Sequence, residues 1–113
     1  MKTKKLITTQ LSFLEDNGFR LKHLSKNSEN EFYYSKDGLA FEFVFDTYAI
    51  AMDVVIDNFG NRTNIFESEL FSKQELADLK TKIKAVESLK DLNQLISVYG
   101  NFIREKLINL RIV

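Results

Sequence analysis

The sequence between residues 38 and 57 reads GLAFEFVFDTYAIAMDVVID, and its two alternating runs decide the fold. Apolar side chains recur at every second position in each run. They are Leu39, Phe41, Phe43 and Phe45 in the first run, and Ile50, Met52, Val54 and Ile56 in the second. A period of two is typical of a strand with one buried face. The segment therefore predicts an antiparallel hairpin with one apolar core face.

The turn position sets the predicted register of this hairpin. A turn at residues 46–49 would pair position 45 with 50, 43 with 52, 41 with 54 and 39 with 56. A slip of one residue would expose every apolar side chain, so the core face is well specified. On the opposite, outer face, this register places Glu42 directly across from Asp53. Because facing like charges are destabilising, this pair is a candidate functional feature.

Composition predicts one domain spanning residues 1–113, since the chain is long enough for a single core and 44% of its residues are hydrophobic. The 16 basic and 16 acidic residues cancel, so no overall basic field favours nucleic acid. Cysteine is absent, which excludes disulfides and thiol chemistry and makes the cytoplasm the expected location. No apolar run has the length of a membrane span, and the N-terminal residues lack the apolar core of a signal peptide.

The segments before the hairpin extend the sheet. Residues 3–17 have helical spacing, with Gly18 as a left-handed cap, and residues 19–24 and 31–36 predict two strands. Asp37-Gly38 is typical of a tight hairpin turn. With that turn, position 34 pairs with 41 and 32 with 43, while Tyr33 lies on the outer face beside Glu42. The same parity places position 22 opposite 33 and His23 opposite position 32.

The segments after the hairpin predict two helices. Residues 58–64 are rich in turn formers, and Ile65-Phe66 either adds a short edge strand or anchors the loop. Ser72 followed by Glu75 is a capping box for a helix that ends near residue 88, and Asp91 caps a second helix. Gly100 inside that helix indicates a close contact or a local break. The predicted fold is α+β, with an N-terminal helix, a four-stranded antiparallel meander and two C-terminal helices packed on one sheet face.

Sequence signals for catalysis are few. His23 is the only histidine, and we interpret it as a partly buried residue at the sheet edge. The acidic residues Glu42, Asp46, Asp53 and Asp57 could form an acid–base pair or hold a divalent cation. An exposed sheet face retains water, however, which favours solvated charge or protein binding over catalysis. We therefore predict a protein without enzymatic activity, cofactor or metal.

Three stretches carry a resemblance: FLEDNGF, YYSKDGLAFEFVFD and VYGNFIREKLINL. In pattern and order they resemble small bacterial α+β proteins, some of which look like immunity proteins of polymorphic toxin systems. The resemblance covers most of the chain and contains no diagnostic motif. It implies a cytoplasmic protein that neutralises a cognate toxin by binding it. No functional residue can be transferred from it.

Three hypotheses follow. The first is a non-enzymatic binding protein whose acidic sheet face meets a basic partner such as a toxin, without nucleic acid or membrane, since residues 27–57 contain one basic and seven acidic residues. The proposed contact residues are Glu31, Tyr33, Glu42, Asp46, Asp53 and Asp57. The second is a small-ligand or enzymatic pocket between sheet and helices that uses His23 or Tyr34. The third is a structural homodimer formed through the last helix or an edge strand.

Overall fold

The computed structural model of the chain describes residues 2–22, 30–46 and 51–111. The helices are α1 (Lys2–Gln10), α2 (Ser12–Asp16), α3 (Lys73–Glu87) and α4 (Leu92–Asn109), and a short 3₁₀ turn spans Ile65–Glu67. The strands are β1 (Arg20–Lys22), β2 (Glu31–Lys36), β3 (Leu39–Asp46), β4 (Ala51–Asn58) and β5 (Asn61–Asn64). They form one antiparallel sheet in the order β1-β2-β3-β4-β5. The α+β class is confirmed.

The sheet has five strands in the part of the chain that the structure describes, so the prediction of four was wrong. A two-residue turn, Phe59-Gly60, follows β4 and has positive φ at both positions, 53° and 92°. The chain then pairs back along β4 as β5. Because β5 is polar and only backbone pairing defines it, no apolar alternation marks it in the sequence. Ile65, one possible site of an edge strand, instead lies buried in the 3₁₀ turn.

The register of the β3–β4 hairpin differs from the predicted one by two residues. Phe45 pairs with Met52 and not with the predicted partner Ile50. Ile50 itself lies outside the described residues. A shift of two residues keeps every side chain on its face, and the predicted core face is confirmed. The predicted cross-strand partners were wrong. Glu42 faces Val55, and Asp53 faces Val44, so the proposed pair of like charges does not exist.

The register of the first three strands agrees with the prediction. Tyr34 lies opposite Phe41, and Tyr33 lies between Lys22 and Glu42. The turn at Asp37-Gly38 has φ values of 48° and 88°, as a tight hairpin requires. The predicted pairing of His23 falls outside the described residues.

The N-terminal helix divides in two at Leu11, whereas one helix was predicted. Gly18 has φ +92°, and the Phe19 N–H donates to the Leu14 carbonyl at 2.9 Å, which ends α2 as expected. Gly100 lies in an unbroken α4, where an added Cβ would lie 3.4 Å from the Cδ2 atom of Leu11. The close contact, rather than a break, is therefore the alternative that the structure supports.

The core forms between one face of the sheet and the helices. Phe32, Phe41 and Phe43 of the strands belong to the same buried cluster as Leu95 and Ile103 of α4. The capping box predicted at Ser72 and the cap predicted at Asp91 are present and begin α3 and α4. None of the helices that the structure describes combines the length and the apolar character that a membrane span requires.

Candidate partner-binding surface

The outer face of the sheet carries the side chains that alternate with the core positions. No outer-face side chain of the described strands belongs to the main buried cluster, although Ala40 on this face is only 3% exposed. All six residues proposed as a contact surface lie on this face. Asp46 and Asp53 are exposed, Glu31, Tyr33 and Asp57 are half-buried, and Glu42 is buried.

Glu42 is neutralised by an arginine that the sequence analysis did not pair with it. Its Oε2 atom accepts a hydrogen bond of 2.5 Å from Nη2 of Arg62, and the glutamate is only 7% exposed. Arg62 lies on β5 and reaches across β4 to β3. Because β5 was not predicted, the sequence offered no geometric reason to join these two charges. Glu42 therefore contributes to the structure of the face as half of an ion pair.

Three other acidic residues surround Val44 at one end of the outer face. Glu31 and Asp53 flank Val44 on the neighbouring strands, and Asp46 follows it two residues along β3. With strands about 4.8 Å apart, Glu31 and Asp53 start about 10 Å from each other. We refer to Glu31, Asp46 and Asp53 as the acidic corner.

A hollow of about 670 Å³ opens on the outer face toward the opposite end. Its floor contains Ser35 and Ala40, which face each other across β2 and β3. The rim includes Arg20, Tyr33, Asp57 and Phe59. The hollow exists because two small side chains lie between taller neighbours. We refer to these six residues as the outer hollow.

Phe59 is the aromatic residue of this site that the sequence analysis missed. Its side chain is 78% exposed, and its φ of 53° lies in the left-handed region. Asparagine, aspartate or glycine is the usual first residue of such a two-residue turn. An aromatic side chain in a Phe-Gly turn flanked by asparagines is the available signal, but turn formers alone predict no role for this ring.

Asp57 faces the hollow from β4. Its Oδ1 atom accepts a hydrogen bond of 2.8 Å from the Gly60 N–H, which orients the carboxylate within the turn. Arg62 lies opposite Asp57 in the register, but its guanidinium bonds to Glu42. Within the described part of the chain, no basic side chain forms an ion pair with Asp57. The rim thus combines an oriented carboxylate with an exposed aromatic ring.

The core tyrosines are poorly suited to acid–base chemistry at neutral pH. Tyr34 is fully buried, and its hydroxyl has no hydrogen-bond partner among the described residues. Burial raises the pKa of Tyr34, and the charge of Glu15 raises it further. Burial likewise raises the pKa of Tyr99, and Asp53 and then Glu87 add to this effect. Within residues 2–22, 30–46 and 51–111, no three metal-ligating side chains come together.

A separate cleft of about 470 Å³ lies between β4 and α3. Lys80 and Lys84 of α3 line it, together with Met52 and Tyr99. The Tyr99 hydroxyl donates to the Met52 carbonyl at 3.3 Å, so this tyrosine contacts the backbone of β4. Tyr34, proposed for a pocket between sheet and helices, does not line this cleft, and His23 lies outside the described residues.

Comparison of the chain with protein family models, with curated proteins and with solved structures found no match. The assignment of a function therefore depends on the geometry of the chain itself.

Proposed function

We propose that this protein is a non-enzymatic binding module that engages a protein partner through the outer face of its sheet. The observation that carries the proposal is the outer hollow, which opens between Tyr33 and Phe59 on a face outside the core cluster. In the more specific form, implied by the resemblance to immunity proteins, the partner is a basic toxin and binding neutralises it in the cytoplasm.

Side-chain chemistry supports binding at this hollow. Interface hot spots are enriched in aromatic and arginine side chains that fill pockets, surrounded by polar groups that exclude water. Tyr33 and Phe59 supply aromatic surface at the rim, and Ser35 and Ala40 leave depth between them. This arrangement is typical of a surface that receives a projecting side chain.

The size of the face sets a requirement on the interface. The five strands contain 3, 6, 8, 8 and 4 residues, 29 in all. At about 4.8 Å between strands and about 3.3 Å per residue, they form a surface of roughly 460 Å². A standard protein interface buries about 800 Å² on each partner. The contact must therefore extend beyond the strands, and the turns at Asp37-Gly38 and Phe59-Gly60 border the face at the end where the hollow opens.

The charges of the face favour a basic partner in one orientation. The acidic corner would attract basic groups and accelerate association, because complementary charge acts mainly on the association rate and on specificity. Arg20 and Lys22 lie exposed on β1, near the hollow. A partner with a basic patch next to an acidic one would thus bind in a single register.

The test compares the binding of a candidate partner to the wild-type protein and to two charge-reversal variants. A neighbouring gene for a secreted toxin would supply the first candidate, and the purified candidate is then measured against wild type and against a Glu31→Lys, Asp53→Lys variant. The control is Glu69→Lys, Glu105→Lys, which changes the net charge equally at exposed positions outside the sheet.

We expect the sheet variant to lose binding while the control retains it. Equal binding by both variants would exclude the acidic corner from the contact and would remove the charge argument for a basic partner. For the toxin form of the proposal, co-expression of the wild-type protein should restore growth to cells that the candidate arrests, and the sheet variant should fail to do so.

A further inference from the structure

The backbone of Phe59 indicates that its ring has a role outside folding. A left-handed conformation costs a non-glycine residue about 1–2 kcal/mol. Burying a phenylalanine side chain would contribute roughly 1.5–3 kcal/mol, but this ring is 78% exposed and forgoes most of that stabilisation. Asparagine at the same position would form the turn at lower cost. Neither local conformation nor the core accounts for an aromatic residue here.

The ring of Phe59 is held in place although it is exposed. Its backbone N–H donates to the Gly38 carbonyl at 2.8 Å. A Cβ atom added to Gly38 would lie 2.7 Å from the Cδ1 atom of the ring. The ring therefore lies directly against the β2–β3 turn and forms one wall of the outer hollow. A pre-positioned ring loses little conformational entropy when a ligand contacts it.

Two aspartates line the hollow near Phe59. Asp57 presents its oriented carboxylate there, and Asp37 of the adjacent turn lines the same hollow. Two basic residues, Lys36 and Arg20, also line the hollow, but among the described residues neither forms an ion pair with Asp57. The Lys36 Nζ donates to the Asn17 carbonyl at 2.6 Å. Arg20 lies three strands from Asp57, or roughly 14 Å at the usual strand spacing.

From these contacts we infer that the outer hollow receives one arginine side chain of the partner, with its guanidinium at Asp57 and its plane against the Phe59 ring. This inference rests on the proposed function and specifies the partner's chemistry. A guanidinium is planar, so it can stack on an aromatic ring while it donates two hydrogen bonds to a carboxylate. A lysine ammonium would gain less, because it acts as a compact point charge.

The experiment uses two capped tripeptides as probes: acetyl-Gly-Arg-Gly-amide and the same peptide with citrulline, the neutral isostere of arginine. Each is titrated into the labelled protein, and the amide resonances of Gly38, Phe59 and Gly60 are followed by NMR. Gly60 is informative because its N–H bonds to Asp57. We expect saturable shifts with the arginine peptide and about five- to tenfold weaker binding with citrulline, as the loss of a charge pair and a cation–π contact predicts.

Three variants identify the groups responsible. Asp57→Asn and Phe59→Asn should each weaken the binding of the arginine peptide about fivefold. Asparagine at position 59 also tolerates the left-handed backbone of the turn. Asp78→Asn, which changes an exposed aspartate of α3 outside the sheet, is the control and should titrate like wild type. Equal binding of both peptides, or unchanged binding by the Asp57 and Phe59 variants, would overturn the inference.

The peptide and partner experiments separate the two proposals. If the tripeptide does not bind but the Glu31→Lys, Asp53→Lys variant loses the partner, the arginine site is wrong and the binding face is retained. If the tripeptide binds as expected but the partner binds that variant like wild type, the arginine site is supported and the wider contact surface is wrong.

Discussion

The backbone N–H of Phe59 donates a hydrogen bond of 2.8 Å to the carbonyl oxygen of Gly38, and this bond joins two left-handed turns at one end of the sheet. Each turn consists of two residues with positive φ, Asp37-Gly38 and Phe59-Gly60. The ladder between β3 and β4 thus continues by one hydrogen bond into the turns. Backbone conformation and side-chain contact can be separated at this point, because the two glycines have nearly the same φ but differ in what an added Cβ would meet.

Gly38→Ala should destabilise the protein more than Gly60→Ala. Both glycines have nearly the same φ, +88° and +92°, so each alanine costs about 1–2 kcal/mol of backbone strain. An added Cβ at Gly38 also meets the Phe59 ring, whereas nothing lies within 4 Å at Gly60. Urea unfolding measures the difference. In a Phe59→Asn background the two alanine variants should become equal, and equal costs in the wild-type background would contradict the ring contact.

Removing the hydroxyl should have different effects at the two buried tyrosines. Tyr99→Phe removes a hydrogen bond to the Met52 carbonyl and should cost about 1 kcal/mol of unfolding free energy. Tyr34→Phe removes a buried hydroxyl without a partner among the described residues, so it should be neutral or stabilising by about 1 kcal/mol. Thermal unfolding of the two variants provides the comparison. A destabilised Tyr34→Phe would mean that this hydroxyl bonds to a residue outside the described ranges.

Breaking the ion pair between Arg62 and Glu42 should leave a buried carboxylate without its partner. Arg62→Ala is expected to cost about 1–3 kcal/mol, the penalty for a buried polar group that loses its hydrogen bond. Adding Glu42→Gln should recover part of this loss, because the neutral amide costs less to bury. A double-mutant cycle measures the coupling between the two residues. Additive effects would show that the arginine does not stabilise this glutamate.

Gly100→Ala should stabilise the protein. Alanine is favoured over glycine inside a helix by about 1 kcal/mol. The new Cβ would lie 3.4 Å from the Leu11 side chain, an ordinary van der Waals contact. Gly100→Val adds two further methyl groups against the α1–α2 junction and should destabilise by about 1–3 kcal/mol. Melting temperatures of the two variants test this, and a loss of stability with alanine would mean that α4 already packs too closely.

The capping box of α3 should make stability depend on acid pH. The Ser72 N–H donates to Glu75 at 2.8 Å, and this hydrogen bond, together with Lys106 at 3.0 Å, lowers the pKa of Glu75 from its ordinary value of 4.5. Because the folded state has the lower pKa, the stabilisation is complete above about 4.5 and is lost as the pH falls through the folded value.

Glu75→Gln should therefore be less stable than wild type at pH 7, by at most about 1 kcal/mol because the site is solvent-screened. The difference should shrink below the ordinary pKa of 4.5 and disappear once the pH falls below the lowered pKa of the folded state. Denaturant unfolding at several pH values measures the pH range over which this difference in stability is lost. A difference that persists at the lowest pH would point to packing rather than charge.

The alternation of residues 38–57 predicted the core face because the side-chain period is two, and a register shift of two residues leaves that period intact. For the same reason, it could not predict which residues face each other. Glu42 and Asp53 were paired on an assumed turn at residues 46–49, whereas the hairpin pairs Asp46 with Ala51. Parity is a property of the strands, but the register also depends on the length of the connection.

The candidate site was predicted less well than the fold. Tyr33 and Asp57 were assigned to the outer face, and the structure places them at the hollow. Phe59 and Arg62 were missed because both belong to a polar, turn-rich segment whose strand, β5, has no apolar signature. Helix caps at Ser72 and Asp91 were predicted because their signals are local, whereas the contact of Arg62 with Glu42 spans three strands.

The depth of the outer hollow depends on two small residues, Ser35 and Ala40, and the residues next to them along the strands include the core side chains Tyr34 and Phe41. Tyr34 and Phe41 can therefore stay unchanged while the floor varies. Among descendants of such a chain, larger residues at positions 35 and 40 would close the hollow, and different rim residues would change the side chain it accepts. Selection for a new partner could thus act on a few positions of the outer face, without compensating substitutions in the core.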